Sequence, residues 1–102
     1  MAKKAQLAIV VCADPSVEKY PGFWVQDCSA ATQNLLLAAH GLGLGAVWTA
    51  VHHLEDRVQG FKDLMELPEG IIPVSCSVIG WPAHEGKRVD RFKEERVHRN
   101  TW

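Results

Sequence analysis

The chain has 102 residues, room for one small domain and not for two. Apolar residues make up 47% and charged residues 23%, the balance of a folded globular protein, which excludes a disordered chain or a fibrous repeat. Lys and Arg number 11 against 12 Asp and Glu, a formal net charge of -1, so there is no broad electrostatic case for nucleic acid or an anionic membrane as partner.

Lys3 and Lys4 ahead of an apolar run superficially resemble a secretion signal, but the run is short and meets Asp14 and Pro15 with no small-residue cleavage site. It reads instead as a strand. Residues 7–12 are continuously apolar and rich in β-branched side chains, the pattern of a strand covered on both faces in the middle of a sheet. Residues 18–22, with Pro21 and Gly22, form a loop leading into a helix that begins near Phe23 or Trp24. Gln26, Ser29, Gln33 and His40 share one stripe of that helix. Val25, Cys28, Ala31, Leu35, Leu36, Ala38, Ala39 and Leu42 cover much of the remainder, which predicts a largely buried helix.

The glycine run at residues 41–45 ends the helix, and residues 46–51 follow as a second strand. Leu54, Val58, Phe61, Leu64 and Met65 recur at spacings of three and four, which predicts an amphipathic surface helix terminated by Pro68 and Gly70. In residues 71–81 Val74, Cys76 and Val78 alternate with Ser75 and Ser77, a third strand with one apolar and one weakly polar face. After Pro82 the periodicity is lost. Val89, Phe92, Val97 and Trp102 then stand in a charged tail, and such bulky anchors predict docking on this or another chain rather than disorder. The chain divides into a domain at residues 1–82 and an arm at residues 83–102. Helices on a sheet in an α/β or α+β layer arrangement follow, with strand directions open.

Cys12, Cys28 and Cys76 are an odd number with no close pair, which argues against a disulfide framework or a CxxC site and for a reducing, cytoplasmic setting. The GLGLG run follows a helix and precedes a strand, the reverse of a dinucleotide-binding turn, so it reads as a helix stop. His52 and His53, adjacent in extended chain, point to opposite faces and do not suit one metal ion. Cys28 and Ser29 lie in the helix with no base in view, so packing is preferred to catalysis. Lys87, Arg88, Arg91, Lys93, Arg96 and Arg99 concentrate cations in the tail; the residues alone favour a solvated surface and leave a phosphate contact open.

Four stretches together resemble the C-terminal part of the flavin-dependent nitroreductase family: AIVVCAD at residues 8–14, QDCSAATQNLLLAAHGLGLGAVW at 26–48, LPEGIIPVSCSVIGWPA at 67–83 and DRFKEERVHRNTW at 90–102. The resemblance implies an α+β sandwich that forms an intimate homodimer, with FMN in clefts at the dimer interface and the C-terminal arm embracing the other subunit. It also implies ping-pong chemistry, in which NAD(P)H reduces the flavin and a small acceptor, a nitroaromatic or quinone, reoxidises it. The cofactor carries that step, so neither a catalytic side chain nor a metal is expected. Trp48, Thr49, Ala50 and Val51 match the segment whose backbone lies against the isoalloxazine ring near N5. Arg91 matches a tail position that contacts the FMN phosphate. The position two residues earlier, often a second cation, is Val89 here, with Arg88 and Lys87 beside it, so Arg88 joins Arg91 as a phosphate candidate. Family members also carry an N-terminal stretch with an Arg-Ser-x-Arg type motif, and none of it precedes Met1. The expectation is therefore a fold truncated at the N-terminus. Its alternative function is a non-catalytic dimerising remnant or assembly subunit lacking that phosphate motif.

Overall fold

The computed structural model describes residues 5–102; Lys3 and Lys4, with the first residues of the 1–82 unit, lie outside the described residues. The order is β1 (Leu7–Ala13), a 3-10 turn at Pro15–Val17, α1 (Trp24–Gly41), β2 (Gly45–Ala50), α2 (Glu55–Met65), β3 (Ile72–Gly80) and a 3-10 turn at Glu94–Arg96. The sheet runs β1-β3-β2, with β3 antiparallel to both neighbours.

This order corrects the expectation that residues 7–12 lie in the middle of the sheet. β1 is an edge strand among the described residues, with Leu7 and Ala8 exposed, and β3 holds the centre. The serines give β3 a weakly polar face in the sequence, and that face is as buried as the other. Ser75 and Ser77 are 0% exposed. Register places Ser75 opposite Val11 and Ala50, and Ser77 opposite Ile9 and Trp48, so these side chains share one face. That face meets α1, which touches all three strands. Small hydroxyl side chains let the helix approach closely, and Thr32 takes up one of them: its Oγ1 lies 2.7 Å from the Ser75 Oγ.

α1 begins without a side-chain cap on Phe23. The Glu18 carboxylate fills that role from the preceding loop, accepting from the N–H groups of Gly22 and Trp24. At the other end Gly43 takes a left-handed φ of 75° while its N–H and that of Leu44 return to the His40 and Ala39 carbonyls. The burial predicted for α1 holds on one side only. Thr32 and Ala39 are buried, whereas Ala31, Ala38 and Leu42 are exposed together with Leu37, because a three-stranded sheet covers a single face of the helix.

α2 half-buries Val58 and Phe61 and leaves Leu64 and Met65 in solvent. It stops before Pro68 and Gly70: Glu66 is the left-handed residue, at φ 50°, and Leu67 N–H closes onto the Lys62 carbonyl at 3.0 Å. Beyond Gly80 the chain is exposed throughout residues 81–102, which include the arm at residues 83–102. Among the described residues no helix is long and apolar enough to cross a membrane.

Candidate functional site

Trp48, Thr49, Ala50 and Val51 form the last part of β2 and its exit. Val51 N–H donates to the Val74 carbonyl at 3.2 Å, one step beyond the Ala50–Ser75 pair, so Ala50 and Ser75 face each other as a non-hydrogen-bonded pair of the ladder. Antiparallel alternation then turns the N–H and C=O groups of Ala50 and Trp48 away from β3. β2 is an edge strand among the described residues, so those groups point outward. A row of backbone donors and acceptors is thereby offered to whatever lies alongside.

The segment is held firmly behind that edge. Thr49 Oγ1 donates to the Cys76 carbonyl at 2.7 Å, and the His52 N–H shares the Val74 carbonyl with Val51 at 3.0 Å. Val51 is buried. Trp48, 37% exposed, stands at the border of the sheet face that α1 covers. At the start of the strand a Cβ on Gly45 would meet the Gly80 carbonyl at 3.5 Å and Pro82 at 3.7 Å, ordinary packing distances, so this last glycine of the run is not required by space.

Arg57, in the first turn of α2, was not singled out from the sequence. Its Nη1 donates to the Ala50 carbonyl at 2.8 Å, reaching back across the connection that follows β2. Nothing in an ordinary amphipathic helix start distinguishes this arginine from a solvated one. The signal is topological, since it needs the turn at residues 51–54 to bring α2 back beside the strand it has left.

His52 and His53 sit in that turn rather than in extended chain, which corrects the premise that they face opposite ways; their ring centroids are 5.9 Å apart. His52 also meets Trp24 edge-on at 4.7 Å. Trp24 in turn lines a cavity of about 420 Å3 with Tyr20, Phe23, Cys12 and Cys28 at the same end of the sheet, where Ala13 pairs with Ile72. Burial pushes the Cys12 thiol above its ordinary pKa. Burial, then the neighbouring Asp27 and Cys12, do the same to Cys28. Neither thiol has the electropositive surroundings of an activated nucleophile.

Arg88 and Arg91 are exposed on the arm. Among the described residues the arm's hydrogen bonds are internal to it: Phe92 N–H to Asp90 at 3.0 Å, and backbone turns at residues 93–101. His98 stacks on Trp102 at 4.4 Å. The structure thus gathers residues 48–51 into one edge and carries the two arginines on a separate arm, with no hydrogen bond joining them.

A small α+β layer in which β2 leaves one sheet edge unpaired among the described residues is the class these features define. The family model described as the Nitroreductase family matches residues 1–81, and the chain belongs to that family. A protein of Methanothermobacter thermautotrophicus, provisionally named NADH dehydrogenase/NAD(P)H nitroreductase, is 56% identical over 102 residues, all of this chain and 53% of its own length. A crystal structure from Clostridium acetobutylicum, provisionally named an NADH oxidase, superposes with a TM-score of 0.91 at 40% identity over 98% of this chain and 61% of that one. A nitroreductase-type protein from Desulfovibrio desulfuricans, solved in complex with FMN, superposes with a TM-score of 0.76 at 28% identity over 98% of this chain and 58% of that one. The chain therefore spans between half and two thirds of these relatives.

Proposed function

We propose that this chain forms the flavin-facing part of an FMN-dependent NAD(P)H oxidoreductase, with the isoalloxazine edge against Trp48, Thr49, Ala50 and Val51. The observation that carries this reading is the outward row of backbone groups on β2, braced from behind by the Thr49 and Val51 hydrogen bonds. A flat heteroaromatic ring with acceptors along one side complements outward N–H donors, and a stiff strand presents them without reorganisation. The relatives' names and the FMN complex of one of them support the same ligand.

Bound FMN supplies the two-electron chemistry, accepting hydride from NAD(P)H and, once the nicotinamide has left, reducing a nitroaromatic or quinone. The chain's own residues bind and orient. Trp48 and Ala50 offer N–H groups, Val51 anchors the strand in the core, and Trp48 shields one border of the site from water. The open cleft beside Trp24 offers space for a small acceptor at the same end of the sheet.

Arg88 and Arg91 then serve the FMN phosphate from the arm of a second copy in a homodimer. Support comes from the arm itself, whose Phe92, Val97 and Trp102 are exposed in the single chain, and from the uncovered Leu37 side of α1. Three free thiols agree with a cytoplasmic setting.

Titration of the purified chain with FMN tests the reading. Quenching of flavin fluorescence is expected with a dissociation constant on the order of tens of micromolar or below. NAD(P)H oxidation with a quinone should then require added FMN and fall in Arg91→Ala. Flavin fluorescence unchanged across that range would overturn it.

A further inference from the structure

We infer that Arg57 is a positioning residue for the flavin-facing edge of β2, acting through the Ala50 carbonyl. The inference rests on the reading of that edge given above. Of the outward groups on residues 48–50, two N–H donors and two carbonyls point the same way. The Ala50 carbonyl is the acceptor nearest the end of the strand, and left free it would turn a lone pair toward the acceptor-rich edge of a flavin. The guanidinium at 2.8 Å occupies it. The edge that remains is richer in donors, and a permanent cation stands at its end.

The same bond fixes geometry. Arg57 lies seven residues beyond Ala50, so its hydrogen bond closes the connection between β2 and α2 on the outer side. The Val51 and His52 N–H groups close it on the inner side at the Val74 carbonyl. The strand end is thus pinned from both directions, and the outer pin is one side chain. Its remaining N–H donors are available to a ligand, because guanidinium carries five in a fixed fork and the contact with Ala50 uses Nη1 alone.

The test compares the full chain with Arg57→Ala and Arg57→Lys by amide hydrogen exchange without FMN and by FMN titration. In Arg57→Ala the Val51 and His52 amides should exchange faster while those of central β3 are unchanged. FMN affinity should fall about tenfold or more, and Arg57→Lys, which keeps a charge and a donor, should return to within about threefold of the parent. Parental affinity and parental exchange in Arg57→Ala would overturn the inference. So would faster exchange throughout β3, or an equal loss in the Lys variant, since either makes Arg57 an ordinary structural residue. The exchange measurement needs no flavin: if the parent chain binds no FMN, the flavin reading fails on that titration, and the Arg57 clamp stands or falls on the Val51 and His52 amides.

Discussion

Thr32 and Ser75 meet across the helix-sheet interface with their hydroxyl oxygens 2.7 Å apart, and both residues are 0% exposed. The direction of the bond follows from Thr32's second partner. Its single hydroxyl proton goes to the Cys28 carbonyl at 2.7 Å, so Ser75 donates and Thr32 accepts. The two residues are therefore unequal. Thr32→Val strands a buried Ser75 donor and should destabilise the chain by about 1 to 3 kcal/mol, while Ser75→Ala leaves Thr32 its Cys28 bond and should cost under about 1.5 kcal/mol. Denaturant unfolding of the two single variants and the double variant measures this, and the double variant should recover part of the Thr32→Val loss.

Ser77 occupies the same face two residues on, but its buried Oγ has no hydrogen-bond partner among the described residues. Removing an unsatisfied hydroxyl relieves its desolvation. Ser77→Ala is expected to be neutral or to stabilise by up to about 1 kcal/mol, the opposite of the Thr32 result. A rise or no change in the denaturation midpoint, at constant slope, is the expected reading.

These serines also show where sequence reasoning stopped. All five elements were legible, because the apolar spacing of α1 and α2 and the runs of β1, β2 and β3 carry their periods openly. The sheet order was not. Ser75 and Ser77 read only as a weakly polar face until Thr32, far away in the sequence, comes down on them, and the apolar run of β1 says nothing about which neighbour it has. In the site, the stretch at residues 48–51 was found through resemblance, whereas Arg57 depends on a turn that no local pattern announces. The left-handed Glu66 was hidden for a simpler reason: glycine is the usual signal there, and Gly70, four residues on, supplied it in the wrong place.

Glu66 makes a prediction of its own. It sits at φ 50° and ψ 44° where α2 ends, a conformation that costs a residue with a Cβ about 1 kcal/mol and glycine little. Glu66→Gly should stabilise the chain by up to about 0.5 kcal/mol, after the entropy that glycine adds to the unfolded state. Thermal unfolding checks it, with a raised midpoint expected.

The raised pKa values of Cys12 and Cys28 set a pH dependence. Each thiol ionises more readily once the chain unfolds, so on raising the pH the unfolded state loses its protons first. Stability is full below the ordinary thiol range and falls as the pH rises through that range toward the folded-state values. Alkylation should follow the same order: at mildly alkaline pH both thiols should react more slowly in the native chain than after denaturation. Site-resolved alkylation across pH measures this, and equal native and denatured rates would contradict it.

Amide exchange at residues 48–51 with and without FMN tests the account's central claim most directly. FMN at saturating concentration should protect the outward N–H groups of Trp48 and Ala50 while leaving the amides of central β3 unaltered. Flavin that binds yet leaves Trp48 and Ala50 exchanging at their free rates would place the cofactor elsewhere and contradict the account.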